Sequence, residues 1–193
     1  CSSDLMIDVG YDMYLKLLEE AVQEARGEKP QKKAECSADL AISANIPESY
    51  VPSQEHRMDL YRRMALVRTE EEADDLMDEI IDRFGDPPPQ VNPLLQVALL
   101  RADAGKAGIT EIAQKKGELR FLMTEFDMRV VTDLYQRPEF KRRLRVDTGP
   151  VPGVLLKISQ PNRILSEARG FIAAWAETCR RFAPEEAEND KGV

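Results

Sequence analysis

Residues 69–86 read TEEEADDLMDEIIDRFGD, and nearly every mark that a helix leaves in sequence is present in them. Thr69 is placed to cap the free amides of a first turn. Glu72, three residues on, completes a capping box, and Glu70, Glu71 and Glu72 complement the positive end of the helix dipole. Leu76, Met77, Ile80, Ile81 and Phe84 recur at three- and four-residue spacing, which predicts one apolar stripe, with Asp75, Asp78, Glu79, Asp82 and Arg83 outside it. Gly85 stands where a left-handed residue ends a helix, and Asp86-Pro87-Pro88-Pro89 forbids continuation. The stretch therefore predicts a surface helix with one face in a core and one face charged.

On the charged face, Glu70, Glu71, Glu72, Asp74, Asp75, Asp78, Glu79, Asp82 and Asp86 are opposed by Arg83 alone, so this stretch by itself carries the -8 of the whole chain. Two readings of it are open. One is a solvated face kept soluble by its charge. The other is a docking surface for a basic partner: Glu79, Asp82 and Arg83 stand at i, i+3 and i+4, share one patch, and could pair with arginines opposite.

Upstream, Ser53 caps a predicted helix reaching about Arg68, with Met58, Tyr61, Met64 and Ala65 inward and Arg57, Arg62, Arg63 and Arg68 outward. It leads straight into the acidic helix, and the outer faces of such a hairpin can pair electrostatically. Earlier still, residues 11–26 read as an amphipathic helix and 28–35 as a flexible linker. The alternation of Leu40, Ile42, Ala44 and Ile46 predicts a strand. Downstream, Asn92 and Pro93 open a helix whose Leu94, Leu95, Val97, Ala98, Leu99 and Leu100 leave almost no polar face, so it reads as the buried centre. Apolar runs at 109–112 and 118–123 flank Gln114-Lys115-Lys116-Gly117, a hairpin signal. Asp127 caps a short helix to Gln136 that its β-branched Val130, Val131 and Thr132 disfavour. Residues 137–145 carry Arg137, Lys141, Arg142, Arg143 and Arg145 against one acid, Glu139. With a single aromatic, Phe140, and no base-reading motif the run is weak as a nucleic-acid patch and reads as a solvated edge strand, and 154–159 reads as a last strand. A final helix carries Ile164, Ala168, Phe171, Ile172, Trp175, Cys179 and Phe182, and 184–193 reads as a disordered acidic tail.

These elements predict an α+β fold: a helix-rich domain with a small antiparallel sheet packed against several helices, over residues 49–183, with 1–48 as a connector. The 193 residues give room for one real core, and 6% aromatics favour an interior of aliphatic residues. A sequence pI near 4.9 disfavours nucleic acid as a direct partner. No apolar run suffices to span a bilayer and no signal peptide is visible, so a cytoplasmic protein without a membrane partner is expected. Cys1, Cys36 and Cys179 are odd in number and far apart, which argues against a disulfide framework. A chain beginning with Cys rather than Met reads as cut from something longer.

No phosphate loop or dinucleotide turn is present, and His56 has no nucleophile motif beside it. One histidine with three scattered cysteines makes no zinc pattern. No catalytic residue, cofactor or metal is expected. The reading is of a non-enzymatic interaction domain.

Arg57-Met58-Asp59-Leu60-Tyr61-Arg62-Arg63-Met64-Ala65, then Thr69-Glu70-Glu71-Glu72, then Glu79-Ile80-Ile81-Asp82-Arg83-Phe84-Gly85-Asp86-Pro87-Pro88 together resemble the C-terminal domain of the bacterial transcription-repair coupling factors (TRCF, Mfd). Val9-Gly10-Tyr11, Tyr14, Leu17-Leu18 and Ala21-Val22 resemble the segment that leaves the family's motor module. The resemblance implies a parent that is an ATP-dependent DNA translocase, displaces stalled RNA polymerase and recruits excision-repair proteins, with its motor outside this chain. It implies that this domain is regulatory. It would dock on the UvrB-like module of the same polypeptide, mask the surface that recognises UvrA and restrain the motor, contacting UvrA and polymerase only indirectly. By residue match, Glu79, Asp82 and Arg83 correspond to the family's docking contacts, the same patch that helical geometry selects. The alternative is a free-standing acidic adaptor that mimics nucleic acid to occupy a basic protein surface.

Overall fold

The structure is a computed structural model and describes residues 36–183. The expected helix at 11–26, the linker at 28–35 and the tail from 184 lie outside the described residues. Helix α1 spans Gln54–Leu66, α2 Glu70–Phe84, α3 Asn92–Lys106, α4 Met128–Gln136 and α5 Ile164–Phe182. Strands β1 Ser37–Asp39, β2 Ile109–Lys115, β3 Glu118–Met123, β4 Leu144–Asp147 and β5 Gly153–Lys157 form one sheet in the order β1-β2-β3-β5-β4. The architecture is α+β. Every pairing is antiparallel except β1 with β2, which is parallel.

Local chemistry explains most of these boundaries. The Thr69 hydroxyl accepts from the Glu72 amide at 3.2 Å, the Glu72 carboxylate accepts from the Thr69 amide at 3.3 Å, and Gly85 ends α2 at φ 82°. Ser53 caps α1 by accepting from the His56 amide. Lys116 and Gly117 turn β2 into β3 with φ 47° and 82°, both positive, as a tight hairpin requires. Helix α4 forms despite its β-branched run because Val130, Val131 and Leu134 are buried, and that burial outweighs a weak propensity.

Two apolar cores share one helix. The inner face of the sheet, with Ile112, Phe121 and Val154 in one cross-strand row, packs on α4 and α5, where Phe171 meets Phe121 at 4.3 Å and Phe140 edge-on at 5.8 Å. The second core joins α1 and α2 through Leu60, Met64, Leu76 and Ile80. Helix α3 gives Val97, Leu100 and Ala104 to the first and Leu94, Leu95, Ala98 and Leu99 to the second. It is the buried centre its sequence predicts. No helix among the described residues is long and apolar enough to cross a membrane.

Two strand expectations are corrected. The ladder strand lies at Ser37–Asp39, ahead of the alternating Leu40, Ile42, Ala44 and Ile46, which lie outside the sheet. Their backbone is satisfied by other groups: the Ala41 amide donates to the Gln114 side chain at 2.9 Å, Asn45 to the Gln90 carbonyl at 3.1 Å, and Ile46 to the Tyr61 hydroxyl at 2.7 Å. The strip crosses from one core to the other, Leu40 and Ile42 touching the first and Ala44 and Ile46 the second. Residues 137–143 form turns, and only Leu144–Asp147 is the edge strand. Nor is that run simply solvated, since Arg137 pairs with Asp133, Arg143 with Glu167 and Arg145 with Glu118.

At Gly153 a Cβ would stand 2.4 Å from the Phe121 carbonyl oxygen and 2.8 Å from Leu122 Cδ2, across the β3–β5 ladder. Gly153→Ala is expected to cost about 1–3 kcal/mol through forced strand separation. Leu99→Ala in α3 is expected to cost about 2–5 kcal/mol. Urea unfolding followed by circular dichroism checks both, and a Gly153→Ala midpoint equal to the parent's would refute the close approach.

Candidate docking site

The α1–α2 hairpin positions the predicted patch. Buried Leu60, Tyr61 and Met64 seat α1, and buried Ala73, Leu76 and Ile80 seat α2, so the next residues round each helix meet along their shared flank. There Arg63 of α1 reaches Glu79 of α2 with both terminal nitrogens, one on each carboxylate oxygen, the Nη1–Oε1 contact at 2.7 Å. Arg83 comes within 3.4 Å of the same carboxylate, and its guanidinium lies 5.0 Å above the Phe84 ring. The bidentate Arg63 hydrogen bonds, followed by the nearby positive charges, pull the Glu79 carboxyl from its ordinary 4.5 down to about 2.

The structure thus brings Glu79 and Arg83 into contact and leaves Asp82, exposed, beside them with no ion pair among the described residues. The sequence places Arg63 on a basic face able to pair with the acidic helix, as it does; that its partner is Glu79, 16 residues away, carries no short-range signal. Phe84 also meets Tyr50 edge-on at 6.2 Å and lies 6.2 Å from the exposed His56, while the Tyr50 hydroxyl donates to the Gly85 carbonyl at 2.6 Å. The C-terminal end of α2 is therefore braced from beneath.

Within the domain, Glu70 pairs with Arg169 of α5, Glu72 is spent in the capping box and Glu79 pairs with Arg63. Glu71, Asp74, Asp75, Asp78, Asp82 and Asp86 remain exposed without an ion pair among the described residues. Hairpin pairing therefore accounts for only part of the acidic face. The rest of it is unspent and faces solvent.

Comparison with known proteins locates this arrangement. A model of the TRCF domain matches residues 40–131, from the strip after β1 through the hairpin into α4, and so includes Glu79, Asp82 and Arg83. A transcription-repair-coupling factor of Staphylococcus epidermidis is 34% identical over 174 residues, 89% of this chain, and one of Bacillus subtilis is 36% identical over 118 residues, 61% of it. This chain belongs to the TRCF domain family. It spans only 14% and 10% of the length of those two curated relatives. The TRCF domain fold is also that of a crystal structure of the C-terminal domain of transcription-repair coupling factor, with a TM-score of 0.59 at 19% identity over 77% of this chain and 96% of that one.

The depressed Glu79 carboxyl ties stability to pH. A group whose folded value lies below its unfolded one stabilises the fold above the unfolded value and loses that contribution as pH falls through the folded one. For Glu79 the window runs from 4.5 down to about 2. Arg63→Met is therefore expected to be less stable than the parent at neutral pH, with the gap closing across that window. Urea midpoints taken between about pH 6 and 2 check it; a gap that stays constant would show that the pair contributes nothing.

Proposed function

We propose that this TRCF domain is a regulatory docking domain with no chemistry of its own, and that the acidic face of α2 is the surface it uses. The observation that carries this reading is the set of acids left unspent around Asp82, with Arg83 as a single cation among them. Solubility alone requires no particular order in such a face. A cation fixed on an aromatic ring beside an unpaired carboxylate offers a register: a partner must set a base against Asp82 and an acceptor against Arg83.

The partner is the UvrB-like module of the parent polypeptide, as the family resemblance implies. Docked there, the domain covers the surface that recognises UvrA and holds the translocase motor at rest. Engagement of stalled RNA polymerase elsewhere on the parent opens the clamp. A coupling of about 3 kcal/mol is enough, since it changes the affinity at the masked surface by roughly 150-fold. Docking within one chain also gains from a high effective concentration, so the intrinsic affinity can be modest.

Calorimetric titration of this chain against the separate UvrB-like module tests the reading. Asp82→Arg combined with Arg83→Glu is expected to leave the melting temperature nearly unchanged, because both residues are exposed, and to weaken binding at least about tenfold by opposing like charges. In the full-length parent the same pair should raise ATPase activity and UvrA binding. A double variant that binds as the parent does and leaves both activities unaltered would overturn the docking role of α2.

A further inference from the structure

The net charge of this chain conceals a second concentration of opposite sign. At one end of the sheet, three neighbouring strand ends terminate in bases. The β2–β3 turn carries Lys115 and Lys116, β5 ends at Lys157, and the approach to β4 carries Lys141 and Arg142. The backbone holds these ends together, with Ile158 donating to the Gly117 carbonyl at 2.8 Å and Lys157 to the Arg143 carbonyl at 2.9 Å. All five bases are exposed, and none has an acidic partner among the described residues. Of the neighbouring acids, Glu118 is held by Arg145 through two oxygens and Glu167 by Arg143 together with the Ser159 and Gln160 amides, so the exposed Glu139 is the one carboxylate beside the row that no base pairs with among the described residues.

A second observation falls on the same place. Among the described residues the non-glycine positions with positive φ are Lys116, at 47°, and Arg142, at 63°. The hairpin turn sets the backbone of Lys116 and the turn ahead of β4 that of Arg142; Gly or Asn would sit at either position with less strain, yet each holds a cation. Both strained residues are cations, and both stand in this row.

We propose that this end of the sheet binds the phosphate backbone of nucleic acid without regard to sequence. Lysine dominates the row, and it is the side chain depleted from protein–protein interfaces, where aromatic residues and arginine are enriched. The one aromatic side chain in the basic run, Phe140, is buried and packs on Phe171. No exposed ring is left there to stack on a base or anchor a protein. Point charges along a line, with neither aromatic anchors nor free guanidinium forks apart from Arg142, suit phosphates rather than base edges or a protein pocket. The acidic helix α2 belongs to the other core, so the two charge concentrations stand on separate parts of the fold.

The test is fluorescence anisotropy of a labelled mixed-sequence duplex DNA of about 20 base pairs, titrated with this chain at low and moderate salt. The variant combines Lys116→Asn, Arg142→Gly and Lys157→Gln. The first two keep or relieve the left-handed backbone, so folding is preserved while the charge is lost. The parent is expected to bind the duplex at low salt. The triple variant should bind at least about tenfold more weakly, with a slope of log affinity against log salt shallower by about two to three. A parent that leaves the duplex free at low salt overturns the proposal, as does a variant that binds equally well. Capture of poly-glutamate without the duplex would also overturn it, by assigning the face to an acidic protein.

Discussion

Residues 94–100 of helix α3 have almost no side to give to water, and the rest of the fold answers to that constraint. A helical stretch apolar on nearly every side must be enclosed, and one layer cannot enclose it. The sheet with α4 and α5 takes Val97, Leu100 and Ala104; the α1–α2 hairpin takes Leu94, Leu95, Ala98 and Leu99. The two cores are thus one packing problem with a shared member. A loosening of α3 is felt by the acidic helix through Leu76 and Ile80 and by the sheet through Ile112 and Phe121.

Electrostatics then refine what packing has placed. Arg169 reaches from α5 to Glu70 at the start of α2 and to Gln96 on α3, at 2.7 Å, while Arg63 holds Glu79 nearer the helix end. Exposed pairs of this kind contribute little stability singly. Their effect is orientation: with both ends of α2 tied, its unspent carboxylates hold fixed relative positions. A partner that reads charge order rather than charge amount needs such rigidity.

What was legible in the sequence was what neighbours along the chain decide. The Thr69–Glu72 capping box, the Gly85 stop, the Lys116-Gly117 turn and the apolar run at 94–100 of α3 each involve residues a few positions apart, and each was readable. That Glu79 and Arg83 meet one turn apart on α2, with Asp82 next to them in sequence, was readable for the same reason. What failed depended on distant groups. Alternation at Leu40, Ile42, Ala44 and Ile46 reports alternating burial truthfully, yet the Tyr61 and Gln114 side chains and the Gln90 carbonyl, all distant in sequence, take backbone bonds that a ladder would have made. The bases of 137–145 looked solvated because Glu118 and Glu167, which neutralise Arg145 and Arg143, lie 27 and 24 residues away.

The strip after β1 also defines a mechanical path. Tension applied to the chain ahead of Cys36 would load the three-residue parallel ladder with β2 first, aided by the Arg101 guanidinium bonded to the Cys36 carbonyl at 2.9 Å. Beyond Asp39 the load would pass along Leu40 to Ile46 and arrive at α1 through the Tyr61 hydroxyl. The helix that receives it is the one whose Arg63 grips Glu79. A pull on the upstream chain would therefore reach the seat of the acidic helix through α1 and its Arg63.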